Sequence, residues 1–384
     1  MPRVLRILNR FNVGGPTYNA VFLSRFMPDE YKTLLIGGPP EYDEATSEYV
    51  AHKYGLKPLI LPQMKRAIHP LRDRNAYLEI RKIIRDFKPD IVHTHASKAG
   101  AVGRVAAFSE GVKTVVHTYH GNVMQGYFSP LTTAFFKGVE RELGKRSAAL
   151  IAISDKQKEE LVTQHRIAPA HKVHVIPLGF DLQRFTQNTA ELRHQFRLRH
   201  QLQETDIAVG IIGRLAPIKQ HEVFLRAFAL AHRANLHLKA FVIGDGAMRP
   251  QLENICKDLN ISNAVVFTSW IAEVETVLHA LDIIALSSLN EGTPVSLIEA
   301  SACGKPVVST RAGGTENAVV HQKTGLLCEV GDAQTFGQHL LTLSAQPDLR
   351  ASLGAVGRNF VMERYGYQRL TADMHRLYKA LLAQ

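Results

Sequence analysis

Residues 289–310 read LNEGTPVSLIEASACGKPVVST, and the fold follows from how this stretch is built. An apolar run, DIIALSS (282–288), leads into it, and a second, PVVST (306–310), closes it. Between them Thr293 can cap, and Pro294 can begin, a helix that runs through Glu299 to about Cys303. Short Val/Ile/Leu runs followed by helices point to parallel sheet buried on both faces. Glu291 then sits in the loop before the helix and Glu299 within it. The rise from Thr293 to Glu299 is roughly 9 Å, with more added back to Glu291. That is long for a hydrolytic carboxyl pair, which stands about 5–9.5 Å apart. The two glutamates fit better as acceptors for hydroxyl groups on two parts of one elongated ligand. The turn between them, Gly292, Thr293, Pro294 and Val295, faces the same ligand.

The same alternation fills the chain. Ahead of the midpoint the runs are RVLRIL, TLLIGG, PLILP, DIVHTH, TVVHTYH, LIAIS and VHVIPLG. Beyond it they are IAVGIIGR, KAFVIGDG, AVVFTSW, DIIALSS, PVVST and GLLCEV. Each set suffices for one doubly wound domain. The polar stretch 181–206 lacks strand runs and marks the junction. The expected division is 1–180, 181–365 and a terminal amphipathic helix, 366–384. On that helix Leu370, Met374, Leu377 and Leu381 share a face that needs a surface to cover it.

The 384 residues are 45% hydrophobic and 21% charged, which fits a soluble globular protein. No apolar run is long enough to span a bilayer. MPRVLRIL runs straight into a strand-like segment, so no signal peptide is expected. Cys256, Cys303 and Cys328 are scattered without a CxxC, as expected of reduced cytoplasmic thiols. The net charge of +11 is uneven: residues 1–180 hold 26 Lys/Arg against 16 Asp/Glu, leaving 20 against 19 beyond. A basic first half suits an anionic partner: a phosphorylated substrate, an acidic membrane or nucleic acid.

Ligands of such sheets bind beyond the carboxyl ends of the strands. After the first strand, Gly14 and Gly15 permit close backbone approach and Pro16 suits a first helical turn, whose amides can hold an anion. A plain turn explains them equally, and GxGxxG is absent. His93 and His95 alternate onto one strand face, as do His117 and Tyr119, and His120 lies at the loop mouth. Metal binding, ordinary packing and substrate contact are all open to these histidines. No carboxylate or cysteine joins them at ligand spacing, and His120 is the main candidate for substrate contact. In GRLAPIKQHEVF, Arg214 lies just past a strand and Lys219 at a helix start, together a diphosphate clamp.

GRLAPIK followed about seventy residues later by EGTPVSLIE resembles the retaining glycosyltransferases of family 4. VGGPTYNAVFL, DIVHTHASKAGAVGR, VVHTYHG, IAISD, VIPLGFD, GDG, GKPVVST and GLL fall in the family's order. The resemblance implies the GT-B fold: two facing Rossmann-like domains, an interdomain cleft, and a C-terminal helix packing back towards the first domain. It implies that Arg214 and Lys219 hold the diphosphate of a sugar nucleotide and that Glu299 accepts from the ribose. Glu291 and the amides after Gly292 would hold the sugar, His120 would lie beside it, and Gly15 beside the phosphates or acceptor. A UDP-sugar donor and transfer of a hexose or N-acetylhexosamine with retention are expected. No AspxAsp motif is present, so Arg214 and Lys219 would stand in for a metal, and no cofactor is expected. Thr293 replaces an aromatic residue common in the family, and Thr315 a proline, which leaves the donor sugar open. HTHASKAG and HTYHGNVMQGYFSP resemble members from bacterial surface-polysaccharide pathways.

GYFSPLTTAFFKGVERELGKR (126–146) mixes Phe128, Leu131, Phe135, Phe136 and Val139 with Lys137, Arg141, Lys145 and Arg146. Such a helix can lie on an anionic bilayer or pack into a core. With the basic first half, peripheral contact with the inner leaflet and a lipid-diphosphate-linked acceptor are expected. The rivals are a glycoside phosphorylase or nucleotide-sugar epimerase on the same architecture, and a non-enzymatic nucleic-acid binder. The last lacks aromatic interleaving, so no nucleic-acid partner is expected.

Overall fold

All thirteen apolar runs form strands, and every pairing between those strands is parallel. A computed structural model describes residues 1–384 except 13, 42–45, 66, 122–129, 188, 272 and 384; the side chains of 130–132 and 189 are also outside the description. One unit comprises Met1–Phe180 with Tyr365–Gln384, the other Asp181–Arg364.

The first unit contains β1 (Arg3–Arg10), β2 (Lys32–Gly38), β3 (Leu59–Ile60), β4 (Ile91–His95), β5 (Thr114–Thr118), β6 (Ala149–Ala152) and β7 (Val173–Val175), ordered β3-β2-β1-β4-β5-β6-β7. The second contains β8 (Ile207–Ile212), β9 (Leu238–Ile243), β10 (Val265–Ser269), β11 (Ile283–Leu286), β12 (Val307–Thr310) and β13 (Gly325–Cys328), ordered β10-β9-β8-β11-β12-β13. The continuous apolar runs are explained by burial on both faces: Val4, Leu5, Ile7 and Leu8 of β1 are all inside. The winding direction reverses between β1 and β4 and again between β8 and β11. Loops leaving those pairs diverge and open a crevice at the carboxyl edge. In the first unit they carry Gly14–Gly15 and Ala96–Lys98. In the second they carry Arg214–Lys219 and Glu291–Pro294.

The polar stretch 181–206 is no free linker. It folds into the second unit with a helix at Thr189–Arg199. Phe196 meets Phe241 edge-on at 5.2 Å, and Arg193 and Arg197 both bond Asp282. Its polarity reflects these charged contacts at a domain surface.

The terminal helix, Tyr367–Leu382, buries Leu370, Thr371, Met374, Leu377 and Tyr378 within the first unit's core. Leu381 packs at its margin. Tyr367 stacks on Phe26 with centroids 4.2 Å apart, and Phe180 bridges Gly366. Among the described residues no helix is long and apolar enough to cross a membrane. Leu370 is fully buried, so Leu370→Ala should destabilise the first unit by roughly 2–5 kcal/mol. Urea unfolding followed by a probe in that unit measures it; a loss under about 1 kcal/mol would mean that the helix is not part of that core.

Candidate functional site

In the second unit the site grows from two loops at the switch point. Arg214 follows β8 and is exposed. Its loop is pinned by backbone approach: a Cβ on Gly244 would lie 2.0 Å from the Gly213 carbonyl oxygen, and one on Gly246 2.4 Å from that of Leu215. Only glycine permits this contact, so GDG (244–246) serves to seat the arginine loop.

Lys219 does not start a helix. It ends a 3-10 turn, Pro217–Lys219, and the helix begins at His221 after a left-handed Gln220. The turn aims Lys219 across to the second loop, where Nζ lies 2.6 Å from Glu291 Oε1. The same oxygen accepts from Ser288 Oγ at 2.5 Å. Ser287 Oγ donates to the carbonyls of Lys219 and Gln220, and Leu289 N to that of Ile218. The two loops are thus stitched together beneath the ion pair.

Thr293 does not cap. The helix spans Val295–Ala302, and Pro294 is its N-cap, with no side-chain cap bond. The amides of Leu297 and Ile298 donate to the Pro294 carbonyl, which starts the ladder one residue later than expected. Gly292 is exposed, and Thr293 and Val295 are partly so. Gly313 and Gly314 set the height of this turn. Side chains there would strike the carbonyl oxygens of Glu291 and Gly292 at 2.3 and 2.0 Å.

Glu299 is held apart from the Lys219–Glu291 pair. Its side chain is 16% exposed and its Oε1 lies 3.4 Å from Arg184 Nη2. Arg184 also approaches Glu275 at 3.8 Å. Burial raises the Glu299 carboxyl to about 7, against the opposing pull of Arg184. Arg184 and Glu275 are absent from the sequence reading. Arg184 lies in the polar stretch 181–206, and no motif marks it.

In the first unit the helix Gly15–Arg25 begins after Gly14, with Pro16 in its first turn. A Cβ on Gly15 would come 2.9 Å from a Leu178 methyl, a packing demand for glycine. His120 lies just past β5. Its Nε2 is 3.0 Å from Nδ1 of His95, and burial lowers its pKa to about 3. His93, His95 and His117 are fully buried. Among the described residues no group of three or more His, Cys, Asp or Glu is arranged to hold a metal. Tyr119 and Arg104 clamp Glu140 beneath β5. In the helix Pro130–Arg146, Glu140, Leu143 and Gly144 face inward and Phe135 is 66% exposed. Phe128 and the Leu131 side chain lie outside the described residues.

Residues 193–360 match the family model of Glycosyl transferases group 1, and residues 33–184 that of Glycosyltransferase Family 4. A UDP-Gal:alpha-D-GlcNAc-diphosphoundecaprenol alpha-1,3-galactosyltransferase of Escherichia coli is 29% identical, over 73% of this chain and 73% of its own. A D-inositol 3-phosphate glycosyltransferase of Jonesia denitrificans is 30% identical, over 76% of this chain and 71% of its own. Anabaena HepE, solved in complex with UDP, superposes with a TM-score of 0.83 at 19% identity, covering 98% of this chain and 100% of its own.

The raised Glu299 carboxyl makes stability pH-dependent. Between its ordinary value of 4.5 and about 7 the unfolded chain releases a proton that the folded chain keeps. The stability is present in full below that window and lost as pH rises through it. Wild type should therefore lose on the order of 3 kcal/mol across the window relative to Glu299→Gln. Paired urea titrations at several pH values measure this, and a constant difference between the two proteins would show that the carboxyl titrates normally.

Proposed function

The chain belongs to glycosyltransferase family 4 and is a glycosyltransferase of the GT-B class; on that footing we propose that it moves a sugar from a UDP-sugar to a hydroxyl of a lipid-diphosphate-linked saccharide, with retention and without a metal. The observation that carries this reading is the Lys219–Glu291 pair at the switch point of the second unit, 2.6 Å across, with Arg214 in the same loop as Lys219. A cation and a hydroxyl acceptor side by side match the junction of a diphosphate with a sugar. The Escherichia coli relative names UDP-Gal and a diphosphoundecaprenol-linked sugar, and HepE binds UDP. Both support the donor, and the first supports the acceptor.

In this reading Arg214 and Lys219 take the diphosphate. Lys219 turns from Glu291 to phosphate, which frees the carboxylate to accept from sugar hydroxyls. Glu299 accepts from the ribose, with Arg184 beside it. The acceptor oxygen attacks the anomeric carbon on the face from which UDP leaves. The bond from that carbon to the β-phosphate oxygen breaks, and the acceptor proton passes to the leaving diphosphate. Arg214 and Lys219 stabilise the negative charge as it develops. His120 hydrogen-bonds the transferred sugar.

Calorimetry with UDP in EDTA should show binding, tighter than GDP, and Glu299→Ala should weaken it. Lys219→Ala should lower the rate of transfer by roughly 10²–10³-fold. No response to UDP, or activity that requires a divalent ion, would overturn the metal-free UDP-sugar reading.

The outward Phe135 and the basic side chains Lys137, Arg141, Lys145 and Arg146 support contact with an anionic bilayer. Phosphatidylglycerol vesicles should sediment the protein at low salt and release it at high salt. Phe135→Asp should reduce binding. Equal binding to neutral vesicles, or none to either, would sink peripheral contact.

A further inference from the structure

A row of fully buried polar side chains connects the terminal helix to His120 in the first unit. Arg6, His93, His95 and Tyr378 are all at 0% exposure. Arg6 Nη1 donates to His93 Nδ1 at 2.9 Å and to the Tyr378 hydroxyl at 3.1 Å. A guanidinium can only donate, so His93 Nδ1 is an acceptor. The Tyr378 hydroxyl, 2.6 Å away, donates to the same lone pair. The proton of neutral His93 is therefore on Nε2, which donates to Thr118 Oγ1 at 2.7 Å.

His93 stacks on His95 with centroids 4.2 Å apart, and His95 on His120 at 5.3 Å. Burial, with the neighbouring rings and Arg6, keeps His93 and His95 neutral. One proton lies between His95 Nδ1 and His120 Nε2. Among the described residues His95 Nε2 and His120 Nδ1 are both buried without a partner. If His120 donated, the N–H on His95 Nε2 would stay stranded in the core, bound ligand or not. If His95 donates, the unpaired N–H is on His120, past the carboxyl end of β5, where a ligand oxygen can accept it.

We propose that His95 is a positioning residue: it donates from Nδ1 to His120 Nε2 and fixes His120 as the Nδ1–H tautomer, a neutral donor presented to an oxygen of the transferred sugar. The tautomer follows from this unit's geometry; the sugar contact rests on the proposed transferase reading. Arg6, Tyr378 and Thr118 hold His93 in one orientation, and the stack passes that orientation to His95. The terminal helix thereby contributes to the site through Tyr378.

The test has two readouts. In long-range proton–nitrogen NMR spectra of histidine-labelled protein, His120 is identified by the signals lost in His120→Asn. Wild type should show His120 protonated on Nδ1 and bare on Nε2. His95→Phe keeps a ring in the stack but cannot donate, and should move the His120 proton towards Nε2. An Nε2–H tautomer in wild type would overturn the proposal, even if the variant fails to fold. So would a folded His95→Phe with unchanged His120 signals. In transfer assays His95→Phe should lower kcat roughly tenfold or more at little-changed KM for the sugar nucleotide. His95→Asn, which retains an N–H near the position of Nδ1, should recover most of it. Equal loss in both variants would point to a merely structural role and overturn the proposal. If wild type transfers no sugar while the tautomer is as stated, the transferase reading fails and the positioning of His120 stands.

Discussion

A parallel strand cannot return to its neighbour without a crossover, and the crossovers must cover both faces of the sheet. Each sheet therefore has one place where the winding reverses and adjacent loops part. In the second unit that place is between β8 and β11. Both loops there end close to one another, and the Lys219–Glu291 pair spans them at 2.6 Å. Other features at this edge serve that closeness. Gly244 and Gly246 let the GDG loop press on the arginine loop, and Gly313 and Gly314 let the next loop press on Glu291. Ser287 bonds across the gap to the Lys219 carbonyl, and Ser288 holds Glu291 within its own loop.

The first unit meets the same constraint between β1 and β4 with a different solution. Its strand-end polar groups are rings stacked from β4 towards the loop after β5, and they are neutral because they are buried beside Arg6. A stack of neutral imidazoles can transmit orientation and tautomer without carrying charge. The second unit instead presents a partly exposed ion pair.

Glu299 illustrates how burial and pairing compete. Arg184 lies near enough to stabilise the carboxylate, yet desolvation dominates and the group rises to about 7. A carboxyl held there makes the stability of the second unit depend on pH.

The strands were fully legible in the chain, because a strand buried on both faces must be a continuous apolar run whatever surrounds it. The Gly–Thr–Pro turn, the placement of Glu291 in a loop and Glu299 in a helix, and the buried face of the terminal helix followed from local propensity and period. Helix starts were read less well. Thr293 was expected to cap and Lys219 to open a helix, but the loops bend to meet each other, and Pro294 and Gln220 take those positions. Arg184, Glu275, the Lys219–Glu291 pair and the His93–His95–His120 stack depend on which strands are neighbours. That order, β10-β9-β8-β11-β12-β13 in one sheet and β3-β2-β1-β4-β5-β6-β7 in the other, is set by long-range pairing. Residues as far apart as Arg6 and Tyr378 meet only through it. The chain's own pattern specifies which segments are buried, whereas tertiary pairing decides which buried groups touch, because hydrogen bonds and ion pairs act over a few ångströms between residues hundreds of positions apart.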